Sequence, residues 1–103
     1  MKFKETEINL GYVLPNTKHT FKFRSDTPID YKKLKSIVPS CGGCTKVTRK
    51  GYNFIEVQYS APSFPEHLVG DFITQKNVYI TRLDGTKITL TFTAKMKKPQ
   101  LNK

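Results

Sequence analysis

The stretch Ile88-Thr89-Leu90-Thr91-Phe92-Thr93-Ala94-Lys95-Met96 alternates apolar and polar side chains without a break. Successive side chains of a β-strand point to opposite faces. This period of two therefore gathers Ile88, Leu90, Phe92, Ala94 and Met96 on one face and the threonines and Lys95 on the other. The segment is expected to be a strand with one face on a core. Just before it, Leu83-Asp84-Gly85-Thr86 carries an Asp-Gly pair, whose tolerance of positive φ suits a two-residue hairpin. Asn77 to Arg82 is then the expected antiparallel partner, with Val78 and Ile80 pointing inward.

Moving towards the N-terminus, Asn53 to Tyr59 places Ile55, Val57 and Tyr59 on one face, and Thr17 to Arg24 does the same with His19, Phe21 and Phe23. Phe3 to Leu10 alternates more weakly, and Leu34 to Val38 is a short apolar stretch. Both read as edge or partly buried strands. Gly, Pro and Asn punctuate the gaps at Gly11, Pro15-Asn16, Asp26-Thr27-Pro28, Pro39 to Gly43, Gly51, Ala61 to Pro65 and Gly70. Six or seven short strands at this spacing, with no convincing helix, predict an all-β chain forming a single immunoglobulin-like β-sandwich of about seven strands. It should occupy residues 1–96, followed by a basic tail over 97–103 that includes Lys97 and Lys98 and is interrupted by Pro99.

The length of 103 residues fits one domain with one core, large enough to fold without metal or disulfide support. Seven Phe, five Tyr and no Trp, together with the β-branched residues, suit a pleated surface. No apolar run resembles a signal peptide or approaches a membrane span. The expected location is a cytoplasm, or a particle assembled in one, without membrane partners.

The net charge is +10, from 18 Lys and Arg against 8 Asp and Glu, and a field of that sign attracts acidic protein surfaces or nucleic acid. Of the 18 cations only 3 are Arg, whose planar fork is the usual reader of phosphates and bases, so sequence-specific nucleic-acid recognition is disfavoured. Lys18, Lys22 and Arg24 alternate with the apolar side of their strand and should share its outward face, with Lys32, Lys33 and Lys35 following nearby in sequence. Whether the patch continues onto Lys46, Arg49 and Lys50 depends on strand order. The alternative is an ordinary solvated face whose charges discourage edge-to-edge aggregation.

Cys41-Gly42-Gly43-Cys44 has the spacing of two zinc ligands or of a redox dithiol. A structural zinc would need two more ligands, and only His19 and His67 stand at distant, unrelated positions. A dithiol of the thioredoxin kind heads a helix, whereas Thr45 to Arg49 reads as a strand. The preferred reading is a tight glycine turn with two small, partly buried thiols, open to a disulfide outside a reducing cell. No nucleophile-base set, paired carboxylates or phosphate loop is suggested by spacing, so no catalytic residue, cofactor, metal or small-molecule substrate is expected.

Ser40-Cys41-Gly42-Gly43-Cys44-Thr45 resembles the Ser-Cys-Gly-Cys-Thr turn of a bacterial family of immunoglobulin-like domains of unknown function, with one extra Gly here. Ile8-Asn9-Leu10-Gly11-Tyr12-Val13 is similar to that family's opening Phe-Gly-x-Val strand, and His19-Thr20-Phe21-Lys22-Phe23 to its Thr-Phe-x-Phe strand. Val57-Gln58-Tyr59 resembles its mid-domain Val-x-Tyr, and Ile88 to Ala94 its closing strand. The likeness spans roughly residues 8–96 and extends, more distantly, to the ASH and Hydin-type domains of cilia and centrosomes. It implies docking and structural roles without catalysis. The expected function is thus a non-catalytic module docking on the acidic protein surface of a larger assembly, such as the capsid or tail proteins of a phage virion. A cytoplasmic accessory protein binding nucleic acid nonspecifically, or a Cys-x-x-Cys metal or redox module, is the alternative.

Overall fold

The structure, a computed structural model, describes residues 2–98, so the part of the expected tail beyond Lys98 lies outside the described residues. Among the described residues seven strands form: β1 (Glu7–Tyr12), β2 (Lys18–Arg24), β3 (Leu34–Pro39), β4 (Thr45–Lys50), β5 (Phe54–Ser60), β6 (Phe72–Arg82) and β7 (Lys87–Met96). One short 3₁₀ turn, Tyr31–Lys33, precedes β3, with Asp30 capping it by accepting the Lys32 N–H at 3.1 Å. The strands lie in two sheets, ordered β1-β7-β6-β3 and β2-β5-β4. Second, fifth and fourth strands in one sheet, with third, sixth and seventh in the other, are the wiring of the immunoglobulin sandwich.

The core follows from the alternation. Ile55, Val57, Val78, Ile80, Leu90 and Phe92 are fully buried. Phe92 of β7 lies at the meeting of the two sheets, its ring centroid 4.9 Å from that of Phe21 on β2 and 5.3 Å from that of Tyr59 on β5. Such tilted and edge-on contacts add to the apolar area removed from water.

Three details depart from the sequence-based expectations. The N-terminal segment is not one continuous strand: Phe3 bridges Ser25 beside β2, and only after Glu5 and Thr6 does the chain cross to pair with β7 in parallel. Strand β6 begins at Phe72, well before Asn77, because backbone pairing continues past the point where the apolar alternation fades; Thr74 is buried there against Ala94. The β6–β7 hairpin has three loop residues instead of two. The Gly85 N–H donates to the Arg82 carbonyl and the Arg82 N–H to that of Thr86, and among the described residues of this loop only Gly85 has positive φ, at 91°. That pattern is a type I turn closed by a glycine bulge, since Asp84 keeps negative φ and the primed two-residue turn would need both residues positive.

The strand-switching segment is tied down by charge. The Arg24 Nε donates to Glu5 Oε1 at 3.1 Å and Arg24 Nη2 to Oε2 at 3.4 Å, while Lys4 N–H donates to the Arg24 carbonyl at 2.7 Å. The guanidinium hydrogen bonds hold the Glu5 carboxyl below its ordinary value of 4.5 and raise that of Arg24. A depressed folded-state pKa contributes stability that is present above the unfolded value and lost as pH falls through the folded one. Thermal melting temperature should therefore drop as pH is lowered from about 4.5, and Glu5→Gln should flatten that drop. An unchanged acid limb in scanning calorimetry would show that the tether carries none of it.

In urea titrations, Phe92→Ala should cost about 3–5 kcal/mol, as expected for deleting a fully buried aromatic, whereas the neighbouring outward Thr93→Ala should stay within about 0.5 kcal/mol.

Candidate interaction surface

Pairing in the three-stranded sheet decides which cations share a face. Because Phe21 and Phe23 of β2 point inward, Lys18, Lys22 and Arg24 point outward, and all three are exposed. Across the ladder Lys22 stands opposite Glu56 and Arg24 opposite Phe54, while on the far side of β5 Lys46 pairs with Gln58 and Arg49 with Glu56. The face thus carries Lys18, Lys22 and Arg24 from one outer strand and Lys46 and Arg49 from the other. Lys50, the last residue of β4, pairs with the buried Ile55 and so takes the inward register, yet it is exposed.

Phe54 sits in the middle of these charges. The Lys22 Nζ lies 4.5 Å from its ring centroid and the Arg49 Cζ 5.5 Å, so both cations rest on the negative potential of the ring's π-system. Gly51 leaves room for that ring, since a methyl group at its Cα would overlap Phe54. The Tyr31 hydroxyl pins the turn by donating to the carbonyl of Gly51 at 2.7 Å and lies 3.1 Å from that of Phe54; burial pushes its pKa up. Glu56, the carboxylate at the centre of the face, accepts from Thr48 Oγ1 at 3.0 Å.

The remaining predicted cations lie elsewhere. Lys35 belongs to β3 in the other sheet, and Lys32 and Lys33 to the 3₁₀ turn leading into it, so they do not extend the β2 face. Lys97 reaches back over the Tyr12 ring at 4.9 Å, and Lys98 is exposed beyond β7. The Tyr12 hydroxyl donates to Asp71 Oδ2 at 3.0 Å, and that carboxylate raises the phenol's pKa. The outward side of the four-stranded sheet contrasts with the basic face: its centre is built of Thr89, Thr91, Thr93, Gln75, Asn77 and Tyr79. Thr91 Oγ1 donates to Asn77 Oδ1 at 2.9 Å, and Asn77 Nδ2 to the Tyr79 hydroxyl at 3.2 Å.

At one end of the sandwich a cleft of about 500 Å³ opens between the β2–β3 connection and the β6–β7 hairpin, with Lys33, Leu34 and Leu83 in its walls. Its two carboxylates are engaged locally. Asp30 caps the 3₁₀ turn, and Asp84 accepts from the Thr86 hydroxyl at 2.6 Å and N–H at 2.9 Å, bonds that lower its pKa.

Cys41 and Cys44 are joined by a disulfide in the turn from β3 to β4, with Cα atoms 5.6 Å apart. The Thr45 N–H donates to the Cys41 carbonyl and the Ser60 N–H to that of Cys44, so the bridge closes a turn hydrogen-bonded to β5. The chain passes directly into β4, leaving no helix N-terminus against the sulfurs to favour a thiolate. His19 is half-buried with Nε2 2.7 Å from Thr17 Oγ1. That hydroxyl spends its single proton on the Leu14 carbonyl at 2.5 Å, so His19 must donate through Nε2–H. His67 is exposed in the loop after β5, and among the described residues no group of three or more His, Cys, Asp or Glu converges on a metal-sized site. No described helix is long and apolar enough to cross a membrane.

Compared with models of protein families and with curated proteins, the chain matches none.

The disulfide sets a direct expectation. Protein purified without reductant should take up no maleimide until it is reduced and then two equivalents, read by intact mass. Closing so short a loop limits the entropy gain, so Cys41→Ser/Cys44→Ser should cost about 2 kcal/mol in urea denaturation. Two labels before reduction would mean that the thiols are free.

Proposed function

We propose that the chain is a non-catalytic interaction module that docks on a larger assembly, as an accessory component of a phage virion. The observation that supports this best is the unequal charging of the two sheet faces. Five cations stand around Glu56 on the outer side of β2-β5-β4, whereas the outward register of β6 and β7 carries two, Lys87 and Lys95 at the two ends of β7, about an uncharged centre. A lysine-rich coat serving solubility alone has no need of such sidedness, whereas a docking face for an acidic surface does. The likeness of the Cys41 to Cys44 turn and the surrounding strands to immunoglobulin-like domains with structural roles points the same way. Rigid sandwiches of this kind present a flat, pre-formed surface, which lowers the entropy cost of association.

Virions of the source purified by density gradient should contain the protein at a fixed ratio to the major capsid protein, measured by quantitative mass spectrometry. In about 1 M salt, where the Debye length falls to about 3 Å, a charge-dependent dock should release it. Its absence from purified virions would overturn the virion assignment.

A further inference from the structure

We infer that the docking face is the Lys22–Phe54–Arg49 cluster on β2-β5-β4, and that its occupant is a carboxylate-rich protein surface rather than nucleic acid. The inference rests on the docking reading and specifies its partner.

Charge complementarity fixes the sign of the partner. Lys18, Lys22 and Arg24 on one outer strand and Lys46 and Arg49 on the other flank β5, where Glu56 is the carboxylate. Strands lie about 4.8 Å apart and alternate residues about 6.8 Å apart along a strand, so the cations stand within reach of carboxylates on neighbouring side chains of a single partner element. Arg24 is already engaged by Glu5, which leaves Lys22, Arg49, Lys18 and Lys46 to receive a partner.

Two features favour carboxylates over a phosphate backbone. Nonspecific single-strand binding combines basic grooves with aromatic rings that stack on bases. Here the ring on the face is Phe54, and it carries Lys22 at 4.5 Å and Arg49 at 5.5 Å, so its π-surface holds the cations in place instead of being offered to a base. Glu56 also stands between Lys22 and Arg49 in one cross-strand row. A carboxylate there repels the bridging run of phosphates, whose backbone has no donor to offer it, whereas an acidic polypeptide can meet Lys22 and Arg49 with its carboxylates and Glu56 with a backbone N–H. Resting two long cations on one ring also reduces the rotamer freedom they lose on binding.

The test measures anisotropy of fluorescein-labelled polyglutamate and of single-stranded DNA of matched length, titrated with the full chain at fixed salt. Lys22→Gln/Arg49→Gln should weaken polyglutamate binding roughly tenfold, the sum of two partly exposed charge pairs. Lys35→Gln/Lys87→Gln removes the same charge from outside the face and should change it by less than about twofold. Phe54→Leu keeps the net charge and should weaken binding roughly threefold by releasing both cations from the ring. Equal losses in the two double variants would overturn the face assignment, as attraction by net charge alone predicts that result. An unchanged affinity in Phe54→Leu would overturn the role given to the ring. Tighter binding to DNA than to polyglutamate, lost in the Lys22 and Arg49 double variant, would overturn the carboxylate assignment in favour of nucleic acid. A chain that stays on virions with both face residues neutralised defeats this inference and leaves the docking reading standing. Absence from virions combined with face-specific polyglutamate binding does the reverse.

Discussion

The inward packing of Phe92 against Phe21 and Tyr59 constrains everything else in the molecule. It joins a strand of the four-stranded sheet to two strands of the other, so the sheets cannot slide without breaking both ring contacts. A strand's side chains alternate strictly, so fixing one inward residue fixes the facing of all the others. With Phe21 directed at Phe92 and Phe23 buried on the same side of the strand, Lys22 and Arg24 have nowhere to point but outward. The basic face is thus a consequence of the core, and a slip of one residue in β2 would bury its cations and expose its aromatics.

The same dependence explains how much could be read from the sequence. The strands with unbroken alternation, around Phe92, Val57 and Phe23, were legible because burial on one face leaves a period-two imprint in the residues themselves. Where other forces set the structure, that imprint is missing. The crossing of the N-terminal segment from β2 to β7 is held by backbone hydrogen bonds and by the Glu5–Arg24 pair, and neither writes an apolar pattern. The early part of β6 is extended by its ladder to β7, although Thr74 and Lys76 interrupt the apolar side. In the hairpin, Asp84-Gly85 marked the turn correctly but not its length, because the pair serves a one-sided glycine bulge as well as it serves a primed turn.

The candidate site was legible only in part, for a different reason. That Lys18, Lys22 and Arg24 share a face is local information, fixed by spacing within one strand. That Lys46 and Arg49 join them depends on β5 lying between β2 and β4, a long-range fact that no periodicity carries. The disulfide turn shows the limit from the other side. Cys41 and Cys44 were conspicuous in the sequence, yet the turn they close leads from one sheet to the other and is hydrogen-bonded through Thr45 and Ser60, so its geometry serves the sandwich. Conspicuous residues mark a constraint on the chain; the charged face consists of ordinary ones whose meaning comes from their neighbours across the ladder.

One irregularity completes that face. In β4, Thr45 and Val47 oppose Tyr59 and Val57 and so point inward; simple alternation would send Arg49 the same way, towards the core. The register instead shifts by one between Val47 and Arg49, the signature of a β-bulge that takes up Thr48 as an extra residue. Thr48 is fastened there by its hydroxyl, which lies within hydrogen-bonding distance of both the carbonyl and the carboxylate of Glu56. The shift turns Arg49 outward, sets it opposite Glu56 and brings it onto the Phe54 ring beside Lys22. It also bends an edge strand that carries Lys46, Arg49 and Lys50, and a bent, charged edge resists pairing with another chain. A single inserted residue therefore does two things at once: it protects the exposed edge of the three-stranded sheet and moves a cation from where it would be buried to where a partner can meet it.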